Sequence, residues 1–276
     1  MSIVNYGKNQ MNRAVPQIKR ALILAAGMGS RLSGASGGRP KALTEVNGHS
    51  ILEWQKCALR RSGIKDEALV TGFKAELLSG LASEEFFNPD FASSNMLWSL
   101  VSAREWLDQD LVISYSDILY TYETVEALSS IDGHIVISSD PLWQAKYVGR
   151  TEHPVSEAEL VEFNSDGQIV SIGKRQKPSL SGHTEEFIGL LRLSREGCRI
   201  FLDKFDEALG QCIDGGQEVS ESWLTGAYLA EFLTYLIGQG VEVQAASTGS
   251  PWMEIDTPQD LCRAEKSWNE PFQLDC

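Results

Sequence analysis

Two cations and a run of small residues lie where a chain could receive a nucleoside triphosphate. Leu24, Ala25, Ala26, Gly27, Met28, Gly29 and Ser30 lead into Arg31, and Arg39, Pro40 and Lys41 follow. Side chains this small let backbone N–H groups approach a base and its phosphates, while Arg31 and Lys41 supply positive charge to a triphosphate. The segment is not the dinucleotide-binding Gly-x-Gly-x-x-Gly pattern, because Leu32 stands where its third glycine belongs. Nor is it a P-loop, since no Gly-Lys-Ser/Thr follows at the required distance. The competing reading is an ordinary glycine-rich loop with two solvated cations. The added Arg39-Pro40-Lys41 at this spacing favours a nucleotide loop.

The elements around the loop must hold it still. Ala21 to Ala26 is a short continuous apolar run, as expected of a central parallel strand buried on both faces. The glycine-rich segment runs from Gly27 to Lys41. Ile51, Leu52, Gln55, Ala58 and Leu59 then recur at helical spacing up to Gly63, and Glu67 to Thr71 reads as a second strand. Further along, Leu97 to Leu107 and Thr121 to Leu128 read as helices. Asp110 to Tyr115 and His134 to Ser138 read as strands, the first leading to Asp117. This alternation predicts an α/β fold with an open, mostly parallel central sheet flanked by helices. Ligands in such folds sit at the strand end that Asp117 occupies.

The pattern changes near residue 140. Glu159 to Phe163, Ile169 to Ile172 and Glu186 to Leu193 are strand-like, with a hairpin turn at Asn164 to Gly167. Helices are expected over Arg195 to Leu209, Leu224 to Gly238 and Pro258 to Trp268, with a strand at Val241 to Ala246. The expected organisation is a leader over 1–19 without firm order and a single domain over 20–270. Within that domain a small β-rich insertion, about 141–193, covers the acceptor side.

Composition limits the partners. The chain has 276 residues and a formal net charge of −14, which disfavours a nucleic acid as ligand. No apolar stretch approaches a membrane span, and the first residues do not read as a secretory signal, so the cytoplasm is expected. Cys57, Cys198, Cys212, Cys262 and Cys276 are scattered without a Cys-x-x-Cys pair, so free thiols are expected rather than a disulfide framework or a zinc site.

The loop from Leu24 to Leu32 with Arg39-Pro40-Lys41 resembles the signature of the sugar-nucleotide pyrophosphorylase-like nucleotidyltransferases. A narrower likeness, over about residues 20–265, is to the phosphocholine and phosphonate cytidylyltransferase branch. It is carried by Val70 to Lys74, Ser94 to Met96, Ser114 to Ile118, Asp140 with Trp143 and Arg150, Glu186 to Gly189, and Glu254 to Pro258. The resemblance implies a Rossmann-like fold. It also implies transfer of CMP from CTP to a small phosphonate or phosphomonoester, such as 2-aminoethylphosphonate or phosphocholine, with release of pyrophosphate. Asp117 and Asp256 would hold Mg²⁺. Carboxylates at a strand end or in a tight turn suit that ion, because they offer hard oxygen ligands and leave positions for phosphate and water. Each has a competing role as a helix cap, Asp117 for the Thr121 helix and Asp256 for the Pro258 helix. Neutralising either is expected to change stability little, since crowded carboxylates repel one another.

The same likeness places Gly72 and Ser94 on the nucleotide side. Asn95, Asp140, Trp143, Arg150 and Lys174 fall on the acceptor side. Arg150 would clamp an anionic group bidentately and Lys174 would meet the acceptor phosphate; the alternatives are a surface ion pair and a solvated lysine. Gly72 also fits a plain turn, and Asn95 the start of the Leu97 helix. Tyr115, Trp143, Trp223, Tyr228 and Trp252 suggest a cage for an ammonium group, although packing explains most of them equally well. His49, His134, His153 and His183 show no ligand spacing and receive no role. The rival readings are a sugar- or cyclitol-1-phosphate nucleotidyltransferase and a non-catalytic nucleotide sensor on the same fold. A glycosyltransferase is disfavoured because Ser116-Asp117-Ile118 lacks a second acid. A homodimer is compatible with the sequence, which does not specify one.

Overall fold

The computed structural model describes residues 18–32, 37–174, 183–213 and 219–270, with the Ile213 side chain left aside. Most of the expected leader, and part of the segment from Gly27 to Lys41, lie outside the described residues. In chain order the strands are β1 Arg20–Ala25, β2 Glu45–Val46, β3 His49–Ser50, β4 Asp66–Thr71, β5 Glu84–Phe87, β6 Leu111–Tyr115 and β7 Ile118–Tyr120. There follow β8 Ile135–Asp140, β9 Glu159–Phe163, β10 Ile169–Lys174, β11 Thr184–Leu193, β12 Gln244–Ser247 and β13 Trp252–Glu254. The helices are α1 Ile51–Arg61, α2 Met96–Ser102, α3 Tyr122–Ser130, α4 Arg195–Ile213, α5 Glu221–Gly226, α6 Leu229–Gly238 and α7 Pro258–Ser267.

A mixed nine-stranded sheet forms the centre. Its β6-β1-β4-β5 half is parallel, with β1 paired to β4 and β6 on its two edges. Both faces of β1 are covered, so Ala21, Leu22 and Ile23 are fully buried and the continuous apolar run needs no alternation. β11 runs antiparallel to β6 and to β8, and β9 and β10 continue the same sheet rather than forming a separate one. A register shift between Phe187 and Leu191 bends β11 where Gly189 adopts φ +80°. A Cβ there would lie 2.6 Å from the Tyr115 ring, so only glycine lets that ring close over the strand.

Local signals explain several boundaries. Ser50 and Glu53 form a reciprocal cap that starts α1, and Thr257 with Asp260 does the same for α7, where Pro258 occupies the first turn. The expected helix over Leu224 to Gly238 is two helices, because Ala227 and Tyr228 are extended. The helix expected to reach Leu107 ends at Ser102 and continues as a 3₁₀ turn over Arg104–Trp106. Cys198, Cys212 and Cys262 are free as expected, whereas Cys57 is disulfide-bonded, which corrects the expectation of thiols throughout. No helix among the described residues is long and apolar enough to cross a membrane.

Candidate active site

The chain leaves the carboxyl end of β1 and turns over the sheet. Gly29 sits at φ +57°, and a Cβ there would lie 2.5 Å from Lys41 Cγ. The missing side chain is therefore the space through which the lysine stem passes. Lys41 opens a 3₁₀ turn, and its Nζ donates to Asp117 Oδ2 at 3.0 Å and to Asp256 Oδ1. Arg31, on the 3₁₀ turn Ser30–Leu32, places a guanidinium nitrogen 2.5 Å from Asp256 Oδ2.

Asp117 and Asp256 meet because β7 and β13 pair as a short antiparallel ribbon, with Glu254 opposite Ile118. The Ile255 N–H donates to the Asp117 carbonyl at 2.8 Å and locks that register. Neither aspartate caps a helix: Thr121 stands at the N-cap of α3, and Thr257 caps α7. Burial opposes the charge on Lys41, but Asp117 and Asp256 outweigh it and hold the ammonium above its ordinary range. Burial would likewise raise Asp256; His153, Lys41 and Arg31 instead hold it well below the usual carboxylate range.

Two carboxylates thus aim oxygens at one point, and the Lys41 ammonium stands there. Hard oxygen donors converging on a cation are the donor set that Mg²⁺ takes, with room left for phosphate and water. The residues fit that ion. The ammonium also revises the expectation that neutralising either aspartate would leave stability little changed. The two acids are already compensated, so removing one leaves Lys41 under-paired.

Two adjoining cavities meet at this point and share Arg31, Lys41, Met96, Asp117 and Asp256. One is floored by the β1 loop and lined by Leu24, Ala26, Gly27, Gly29, Ser30, Ser94 and Asn95. The other is lined by Tyr115, Glu157, Glu159, Lys174, Glu186, Tyr228, Trp252 and Glu254. Acids outnumber cations in the second cavity. Burial pushes Glu159 up to about 7 and Glu186 up to about 8, the latter despite a hydrogen bond from the Tyr147 hydroxyl.

The expected residues divide accordingly. Lys174 lines the acidic cavity, 2.8 Å from Glu157 and 5.0 Å from the centre of the Tyr228 ring. Asn95 lines the loop-side cavity and donates to the Gly226 carbonyl at 2.8 Å. Ala25 is buried beneath the loop, and Met28 is exposed outside both cavities. Gly72 lies behind the loop, where a Cβ would meet Phe91 at 2.6 Å and the Ala26 carbonyl at 2.7 Å; it permits close packing rather than lining a cavity.

The other acceptor-side candidates act at one remove. Asp140 accepts the Trp252 indole N–H at 2.8 Å and so orients a ring that does line the cavity. Trp143 packs on Tyr147 and donates to the Thr184 carbonyl at 3.3 Å. Arg150 is engaged: its guanidinium pairs with Asp260 at 2.6 Å and Glu254 at 3.0 Å, with 6% of the side chain exposed. Its guanidinium is spent on protein carboxylates and does not line the cavity of Lys174. Of the five aromatics considered, Tyr115, Tyr228 and Trp252 line that cavity; Trp143 and Trp223 do not. Sequence reasoning assigned no role to Glu157, Glu159 or His153. Glu186 and Glu254 belonged to motifs that had been singled out, but they carried no role either.

Comparison with known proteins agrees with this geometry. Residues 21–158, half of the chain, match the MobA-like NTP transferase domain, and the chain belongs to that family of nucleotidyltransferases. Over 252 residues it is 28% identical to the CTP:phosphoglutamine cytidylyltransferase of Campylobacter jejuni, covering 87% of this chain and 97% of that protein. The inositol-1-phosphate CTP transferase from T. maritima superposes with a TM-score of 0.65 at 18% identity, over 91% of this chain and 97% of that one. The CTP:phosphocholine cytidylyltransferase from Streptococcus pneumoniae superposes with a TM-score of 0.61 at 20% identity, over 91% and 100%. At such identities these two structures establish the shared fold, the Rossmann-like α/β architecture expected from the sequence.

Proposed function

We propose that this protein transfers CMP from CTP to a small phosphonate or phosphomonoester bearing an ammonium group, such as 2-aminoethylphosphonate or phosphocholine, and releases pyrophosphate. One observation carries this reading: a loop-floored cavity and an acidic, aromatic cavity meet at Lys41, Asp117 and Asp256. The triphosphate would lie on the β1 loop, with Leu24, Ala26, Gly27, Gly29, Ser30 and Ser94 around it. Mg²⁺ at the two aspartates would neutralise charge on the α-phosphate and align both reactants. An acceptor oxygen would attack the α-phosphorus, forming a new P–O bond as the bond to the β-phosphate oxygen breaks. Arg31 and Lys41, released from the carboxylates, would stabilise the charge that gathers on the pyrophosphate. Lys174 would meet the acceptor's anionic head. Glu157, Glu159, Glu186 and Glu254, with Tyr115, Tyr228 and Trp252, would receive its ammonium tail. The name of the C. jejuni relative, whose acceptor is also a small phosphorylated amino compound, supports the same class. A nucleotide sensor would not need both cations and both acids gathered at one point.

Pyrophosphate release with CTP, UTP, GTP and ATP against aminoethylphosphonate, phosphocholine, phosphoglutamine, inositol 1-phosphate and glucose 1-phosphate tests the proposal. CTP with an ammonium-bearing acceptor should give the highest kcat/KM. Efficient use of glucose 1-phosphate, with the ammonium compounds inert, would overturn it.

A further inference from the structure

His153 takes no part in the chemistry above, yet only 3% of its side chain is exposed and it lies between two acids. Its Nδ1 is 3.3 Å from Asp256 Oδ2, and its Nε2 is 3.4 Å from Glu254 Oε2. Ligand atoms of these three residues lie within 4.8 Å of one another, close enough to share an ion. The imidazole, however, turns a different nitrogen to each carboxylate across Ile255, at ion-pair distance but without hydrogen-bond alignment at Nδ1, so that Nδ1 and Asp256 Oδ2 are buried polar atoms facing one another. The loop bearing it is tied to the same segment. The N–H groups of Thr151 and Glu152 donate to Gln259 Oε1 at 2.8 and 3.1 Å, and Arg150 holds Asp260 and Glu254.

The two oxygens of Asp256 have different neighbours. Oδ1 accepts from Lys41, while Oδ2 faces Arg31 and His153. The Arg31 side chain is 48% exposed and can turn to an incoming triphosphate; His153 is enclosed and cannot leave. We propose that His153 is a positioning residue that keeps Asp256 Oδ1 turned toward the Lys41–Asp117 point once Arg31 has moved to the nucleotide. This inference rests on the metal role of Asp117 and Asp256 proposed above. Partners that fix the orientation of a metal ligand typically carry 10- to 100-fold in affinity, on the order of the effect expected here.

Mn²⁺ binding, followed by electron paramagnetic resonance with and without CTP, tests it in the wild type and in His153→Ala, His153→Asn and His153→Gln, alongside Mg²⁺-dependent kinetics and melting curves. Asparagine places its amide nitrogen near Nδ1 and can still reach Asp256, whereas glutamine reaches toward Glu254. His153→Ala should weaken Mn²⁺ binding about 10- to 100-fold. It should lower kcat at fixed Mg²⁺ while KM for CTP stays within roughly 3-fold, because the change falls on the reacting centre. His153→Asn should recover most of the Mn²⁺ affinity and His153→Gln little of it. Wild-type Mn²⁺ affinity in His153→Ala would overturn the inference. So would equal losses in the asparagine and glutamine variants that simply track their melting temperatures. A wild-type enzyme that binds no Mn²⁺ and ignores Mg²⁺ would overturn the metal reading itself, and the inference with it.

Discussion

Replacing Lys41 with methionine keeps most of the stem that passes over Gly29 and removes only the ammonium. Asp117 and Asp256 then lose the cation they share, and Arg31 and His153 remain beside Asp256 Oδ2 alone. Breaking a fully buried ion pair from one side costs about 3–5 kcal/mol. Here Asp256 is 2% exposed, but Lys41 and Asp117 are 14% and 13% exposed and open onto the cavities. Water softens the loss, so about 2–3 kcal/mol is expected in EDTA. A divalent cation bound at the same point would substitute for the ammonium, and at 100 times its Kd it would return about 2.7 kcal/mol. Urea unfolding of the wild type and Lys41→Met, each with EDTA and with excess Mg²⁺, reads both terms. The variant should be clearly less stable in EDTA and nearly restored by Mg²⁺. Turnover in excess Mg²⁺ should fall by at least ~10²-fold even though stability is restored, because the lysine is also needed in the transition state. An equal deficit with and without Mg²⁺ would show that ion and ammonium do not share a site. No deficit in EDTA would show that the carboxylates do not depend on Lys41.

Two further outcomes follow from the acceptor side. Arg150→Ala should cost about 3 kcal/mol in urea unfolding, since it strands the buried Asp260 carboxylate. Acceptor KM should then change by less than ~10-fold well below the melting temperature, and a larger rise in a stable variant would reinstate Arg150 as an acceptor clamp. Glu159, raised from 4.5 to about 7 by burial, holds its proton more tightly folded than unfolded, so its own contribution to stability is greatest below 4.5 and is lost as pH rises through 7. The full shift corresponds to about 3 kcal/mol, and the carboxyl's contact with the cavity reduces that to about 2. Glu159→Gln should remove about that much of the drop between pH 5 and pH 8, leaving the part due to the other raised carboxyls, Glu186 and Glu254; an unchanged drop would refute the assignment.

What the sequence disclosed was what lies close together along the chain. The β1 run and the loop after it are contiguous, and their backbone needs can be read from residue type alone, whereas the cap of α7 falls on Thr257, one residue beyond the Asp256 that the sequence offered. β7 and β13 were not foreseen, because ribbons of three residues are too short to show a period. Yet that ribbon is what brings Asp117 to Asp256, so motif likeness stood in for geometry the pattern could not supply. Arg150 shows the converse. An arginine near an anionic substrate and an arginine in a buried ion pair look identical in one dimension, and the partners that decide between them, Asp260 and Glu254, lie 110 and 104 residues away. The same separation hid His153, which has no ligand-like spacing because its neighbours come from the last motif and not from its own loop. Both residues lie in one short stretch of the expected insertion, and both grip the segment bearing Asp256. The stretch from Arg150 to Lys174 thus supplies Glu157, Glu159 and Lys174 to the acidic cavity and also packs against the segment bearing Asp256, where the two cavities meet. Under the proposed function, a substitution in this stretch that altered acceptor preference would therefore be felt at Asp256 as well, which is a physical reason for acceptor choice and metal binding to vary together.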